Sequence, residues 1–172
     1  MDLDRAMRRG TIRTLLGFPP SLRRLDMVAG HLAPWAVLLL IVADQPAKDA
    51  IGKEMTKLEG EWSMVSGEAD GQPLPADYVK NAKRVAKDGE TTVTFNGQVF
   101  MRAKFTVDAS KTPKTIDYAM TEGFTKGKTQ LGVYELDGDT VKFCFASPGQ
   151  ERPTDLKGGS GRTVSVWKRV MK

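Results

Sequence analysis

Residues 88–107 read DGETTVTFNGQVFMRAKFTV, and the pattern of this stretch decides the fold. Asp88-Gly89 and Asn96-Gly97 bracket runs in which apolar and polar residues alternate. Asx-Gly pairs supply the positive-φ residues that tight two-residue hairpins demand. Asp137-Gly138 stands between two further alternating runs, and such repetition implies an antiparallel meander. Working outward, period two predicts strands at Glu61–Ser66, Lys83–Lys87, Thr91–Phe95, Gln98–Val107, Thr115–Thr121, Gln130–Leu136, Thr140–Ala146 and Thr163–Arg169. In the fourth, Val99, Met101, Ala103, Phe105 and Val107 share one face, with Arg102, Lys104 and Thr106 on the other. In the seventh, Val141, Phe143 and Phe145 line up inward against Lys142. Strands apolar on one side enclose a core on that face and meet water on the other. About eight of them, with mostly short connections, can close on themselves and remove their exposed edges. The expected fold class is all-β: a single antiparallel up-and-down β-barrel of about eight strands. A barrel of that size fills with side chains or holds one small ligand.

Flanking segments complete the plan. Residues 44–57 form a linker or short N-terminal helix, with Ile51, Met55 and Leu58 near helical spacing. The stretch PLPADYVKNA, residues 73–82, suits a helical turn that lids one barrel end. The barrel domain itself is expected over residues 58–172.

The first 43 residues read as a signal peptide with an over-long leader, as an early start codon would produce. Leu32–Ala43, LAPWAVLLLIVA, is a continuous apolar run. It suits the roughly 7–15 residues of a signal h-region better than the roughly 20 of a membrane-spanning helix. Arg23 and Arg24 precede it, as an n-region requires, and polar DQPAKDA follows. Export to the periplasm or the medium, with cleavage close to Asp44, is the expectation. The alternative is an inner-membrane anchor formed by residues 27–43. Arg8-Arg9 and Arg23-Arg24 raise a twin-arginine reading, but Asp26 breaks the apolar positions of such a signal. The lone cysteine, Cys144, is too far from the leader to be a lipoprotein cysteine.

The formal net charge of +5 suggests nucleic acid until its distribution is read. Residues 1–43 hold six Arg and three Asp, leaving 20 basic and 18 acidic residues in the remainder. That near-balance gives no electrostatic footprint for a phosphate backbone. The sole histidine, His31, lies in the leader, so the barrel lacks the usual general base and the commonest metal ligand. One cysteine without histidine builds neither a thiolate–imidazole couple nor a hydrolytic triad, and it cannot form an intrachain disulfide. No catalytic residue, metal ligand or cofactor is therefore expected, and no enzymatic activity. Asp137 and Asp139 flank Gly138 and serve turn geometry before acid–base chemistry. Gly158-Gly159-Ser160-Gly161 opens no helix and makes no phosphate cradle.

Two features are left with a binding reading. Met64, Met101, Phe105, Tyr118 and Met120 would converge with Phe143, Phe145 and Val166 inside the barrel. A methionine-rich aromatic interior adapts to apolar ligands, or else forms a filled core. Arg152, before Pro153 in the longest loop, is either a ligand or partner contact at a barrel mouth or a structural arginine bonded to carbonyls. Cys144 alternates with Lys142, opposite the phenylalanines, so both an exposed and a buried thiol are open.

Gly60-Glu61-Trp62 opens the first strand as G-x-W, and the last ends Trp167-Lys168-Arg169. A longer set accompanies it: KLEGEWSMVSGEADGQPLP from Lys57, KTPKTIDY from Lys111, GKTQLGVYELDGDTVKFCFASPGQERPTDL from Gly127, then Gly159-Ser160-Gly161 and Val166-Trp167-Lys168-Arg169. Over residues 57–169 the chain resembles an uncharacterised lipocalin-like domain family known chiefly from planctomycete bacteria. The resemblance implies a lipocalin- or calycin-like barrel and export. It also implies that Trp62 packs under a terminal basic residue, Arg169 or its strand neighbour Lys168, to close the barrel floor. The chain departs from typical lipocalins in lacking a disulfide pair, and a second lipocalin motif is present only if Ile116-Asp117-Tyr118 is its remnant. That family has no established activity, so two functions stay open. One is an exported binding module for a small apolar molecule. The other is a packed-core structural or inhibitor-like barrel of the cell envelope, acting on an exported protein partner.

Overall fold

Two of the three Asx-Gly pairs read from the sequence turn the chain with both residues at positive φ, whereas at Asp137-Gly138 the aspartate ends its strand and Gly138 alone has positive φ, near 52°. The computed structural model describes residues 45–171. The leader and both readings of it, secretion signal and anchor, lie outside the described residues. Among those described, no helix is long and apolar enough to cross a membrane. A helix α1 (Gln45–Leu58) leads into strands β1 (Gly60–Ala69) and β2 (Gln72–Pro73) and a short helix α2 (Ala76–Asn81). Seven further strands follow: β3 (Ala82–Lys87), β4 (Glu90–Phe95), β5 (Gln98–Asp108), β6 (Lys114–Glu122), β7 (Thr129–Asp137), β8 (Thr140–Ala146) and β9 (Arg162–Arg169). Asp88-Gly89 and Asn96-Gly97 link β3 to β4 and β4 to β5. Both residues of each pair have positive φ, near 51° and 75° in the first and 49° and 78° in the second, the pattern of a type I′ hairpin. A further pair, Asp70-Gly71, repeats the geometry and folds β2 back on the end of β1.

All neighbouring strands are antiparallel and follow chain order from β3 to β9, while β1 pairs with both β3 and β9. The sheet therefore closes as an eight-stranded barrel, with β2 an appendage at one end. Closure leaves no long edge for another chain to extend.

The two ends are stoppered differently. At the end where β1 begins, α1 lies across the opening with Leu58 fully buried and Met55 packed on the core. At the opposite end α2 leans over the rim, its Tyr78 ring stacked on Phe95 at 4.8 Å. Between them runs an apolar core including Trp62, Ile116, Tyr134 and Phe143. A smaller cluster of Val133, Cys144, Val164 and Leu156 lies on the outer sheet face. Alternation does turn Cys144 away from the interior, yet the thiol is fully buried, because the segment between β8 and β9 folds over that face.

Two inward assignments are corrected. Val99 does not share the face of Met101: β4 pairs Val93 with Met101 but Thr94 with Val99. A bulge at Phe100 shifts the alternation by one residue and leaves Val99 40% exposed. Val166 is likewise not an interior residue. Trp167 is the buried, inward neighbour, and Val166 alternates to the outside.

Candidate functional site

The floor of the barrel is built around Trp62, which is fully buried and donates its indole N–H to the Leu58 carbonyl at 3.1 Å. Register places Arg169 of β9 on one side of it and Arg84 of β3 on the other. The Arg169 guanidinium lies 4.2 Å from the indole centroid. It donates to the carbonyls of Glu59 and Lys57 and pairs with Asp139 at 3.2 Å. Lys168, the rival cation, sits beside Ser63 and points to solvent. Trp62 and Arg169 thus come together as a floor pair, and the bonded carbonyls at the end of α1 anchor that helix to the sheet.

Below them a second polar knot holds α1. Glu54 is 5% exposed, yet its carboxylate accepts from Lys114, from Lys57 at 2.9 Å and from the Tyr134 hydroxyl at 3.1 Å. Burial works to raise the Glu54 pKa, but these hydrogen bonds and the Lys114 charge outweigh it and hold the group at about 2. Burial, then the Glu54 charge, push the Tyr134 phenol upward. Burial raises the Cys144 thiol as well, which disfavours the reactive thiolate.

Above the floor the interior is not filled. A cavity of about 340 Å³ runs from Arg84 and Trp167 toward the rim under Tyr78. Of the residues expected to converge, Met64, Met101, Tyr118, Met120, Phe143 and Phe145 line it. Phe105 does not: it is buried in the interior core beside the cavity, its ring centroid 6.4 Å from that of Tyr118. Arg152 does not either. Its guanidinium bonds the Ile116 and Gly132 carbonyls at 3.2 and 2.7 Å and pairs with Asp117 at 2.6 Å, outside the cavity wall. Of the two readings given to Arg152, the structure corresponds to the structural arginine. At the mouth stand Phe100 and Phe124, the latter 97% exposed, so the cavity opens to solvent there.

The residue that sequence reasoning passed over is Arg84. In β3 the inward positions are Ala82, Arg84 and Ala86, while Val85 faces solvent and is 48% exposed. The Arg84 guanidinium is 1% exposed, 5.0 Å from the Phe143 centroid and 5.9 Å from that of Trp62. One nitrogen, Nη1, donates to the Leu58 carbonyl at 3.2 Å, while Nε and Nη2 have no partner. The only sequence signal was the pair of alanines two residues to either side, small enough to leave room for a long side chain between them.

In chemical terms the site can hold an apolar body against aromatic and thioether side chains, with one cation at its inner end. Among the described residues no three metal-capable side chains gather. Fold and site define a closed antiparallel barrel with an apolar cavity open at one end. The chain matches no family model, no curated protein and no solved structure.

Proposed function

We propose that this protein is an exported binding module that holds one small, largely apolar molecule inside the barrel. The observation that carries this reading is the cavity of about 340 Å³ between Arg84 and the aromatic rim. Ligand sites usually enclose roughly 300–1,000 Å³ and are lined mainly by hydrophobic and aromatic side chains. The space here lies at the lower end of that range, suited to one alkyl chain or ring system. Methionines at positions 64, 101 and 120 give the wall a surface that re-forms around different shapes. The apolar run at Leu32–Ala43 and the likeness to an uncharacterised lipocalin-like family both support an exported setting. The competing reading, a packed-core structural or inhibitor-like barrel, calls for a filled interior, and a cavity of this size speaks against it.

The test is titration with N-phenyl-1-naphthylamine, an apolar dye that fluoresces when it leaves water. Saturable binding of one dye per protein, with quenching of tryptophan emission, is expected because Trp167 lines the cavity. Native mass spectrometry of protein from its own host should then show a retained small molecule. A folded protein that leaves the dye dark at all concentrations would overturn the reading.

A further inference from the structure

We propose that the cavity takes an amphiphile with an anionic head, and that Arg84 is the residue that binds that head. This rests on the binding-module reading and adds the chemical class of the ligand.

A guanidinium carries its positive charge at any physiological pH and offers five donors in a planar fork. Burying such a charge is costly unless it is paired and hydrogen-bonded. Arg84 is 1% exposed and uses only Nη1 in a hydrogen bond, to the Leu58 carbonyl, itself shared with the Trp62 indole. Nε and Nη2 are buried without partners, and no acidic side chain pairs with the group among the described residues. The buried acid at this end of the barrel, Glu54, is already engaged by Lys114, Lys57 and Tyr134. The Phe143 and Trp62 rings offset part of the desolvation through their π faces. They supply no acceptor for the remaining N–H groups.

An adjacent pair of unpartnered donors, Nε and Nη2, matches the two oxygens of a carboxylate. Arg84 belongs to the inner wall of the cavity, whose lining toward Phe100 and Phe124 is mainly apolar and includes no charged side chain, with Thr125, Gln130 and Thr163 its polar members. A carboxylate at the inner end with its alkyl chain directed to the mouth supplies what each part of the site lacks. Nε and Nη2 are covered in the unliganded protein, and the unbranched side chains of Met64 and Met101, which also line the cavity, let the lumen re-form around the head group at low cost.

The experiment compares decanoate with decanol, the same chain with and without charge, by displacement of N-phenyl-1-naphthylamine from the full chain near neutral pH. Wild-type protein should bind decanoate about tenfold tighter than decanol or more, a difference of about 1.4 kcal/mol. Arg84→Met, which keeps length and removes charge, should lose that preference while still binding the dye and decanol. Arg84→Lys should keep a reduced preference. Ligand-free Arg84→Met should also melt no lower than wild type, since it removes an uncompensated charge. A purely structural arginine would make that variant less stable. Equal affinity for decanoate and decanol in the wild-type protein overturns the anion site and leaves the binding module standing. Exclusion of the dye and of both chains overturns both. If Arg84→Met does not fold, the structural role is favoured on stability, and the wild-type and Arg84→Lys ratios still decide the head-group preference.

Discussion

At the scale of single residues, the floor of this barrel shows why ionised groups are tolerated inside a small protein. Arg169 sits against Trp62 with carbonyl acceptors from Glu59 and Lys57 and an ion pair to Asp139. Arg84, on the other flank of the same indole, has one acceptor and two unpartnered nitrogens. The first is a finished structural contact, and the second leaves two buried N–H-bearing nitrogens without acceptors. Glu54 is the anionic counterpart of Arg169, buried and fully engaged. Its pKa of about 2 in the folded protein against an ordinary 4.5 makes it a source of acid sensitivity. A depressed carboxylate pKa means that the unfolded chain takes up the proton first. The stabilisation is therefore complete above about pH 4.5 and is lost as pH falls toward about 2. Each tenfold difference in proton affinity between the two states is worth about 1.36 kcal/mol, so the contribution is on the order of 3 kcal/mol. Glu54→Gln should lower stability at neutral pH by that order and flatten the decline of stability between these limits. Guanidinium-chloride unfolding at several pH values measures both, and an acid decline as steep in the variant as in wild type would exclude Glu54 as its source.

At the scale of elements, the β3–β4, β4–β5 and β7–β8 hairpins were legible twice over, in an Asx-Gly pair and in the alternation on either side, while the other strands were legible from alternation alone. Asp70-Gly71 belongs to the same class but escaped notice, since β2 is only two residues long and has no alternation to display. The bulge at Phe100 was not legible, because a one-residue slip in pairing depends on the partner strand and leaves apolar residues on both sides of it. The fate of Cys144 was likewise undetermined by its own strand. Alternation turns it outward, and only the loop from Ser147 to Gly161, closed by a 2.8 Å hydrogen bond between those two residues, converts an outer face into a buried one. Arg152 is the clamp of that loop, gripping β6 and β7 through the Ile116 and Gly132 carbonyls and Asp117. Arg152→Ala should therefore loosen the loop without touching the cavity. Losing charge-assisted hydrogen bonds worth about 1.5–3 kcal/mol should raise local opening, and thus alkylation of Cys144 by iodoacetamide, by about tenfold to a hundredfold. Dye binding should change little, as Arg152 lies outside the cavity wall. Alkylation as slow as in wild type would mean that the loop is held by Leu156 and its apolar neighbours instead.

At the scale of the whole molecule, closure and topology followed from local pattern, whereas the cavity did not. Periodicity reports which side chains point inward but not whether their volumes fill the space they enclose. A filled core and a ligand cavity lined by Met64, Tyr118 and Phe145 are written with the same residues. Arg84 was hidden for a related reason: a charged residue in an alternating strand reads as the solvent face, and its inward turn is set by closure against β1 and by the packing of Phe143. The distinction between filled and open interiors has an energetic signature. Val93 is 7% exposed and lines the cavity beside the β4–β5 bulge. If the interior were close-packed, Val93→Phe would overfill it, force side chains off their rotamers and cost about 1–3 kcal/mol. In a barrel with a cavity of about 340 Å³ the larger ring enters vacant space and buries more apolar surface. At about 25 cal/mol per Å² of added burial, the unliganded variant should be as stable as wild type or more so. It should also lose affinity for N-phenyl-1-naphthylamine, because the ring now occupies part of the ligand's volume. Thermal unfolding without ligand and dye titration are read on the same sample. Loss of stability with dye affinity intact would refute the cavity as the binding site. A rise in stability with loss of dye binding places the ligand inside the barrel.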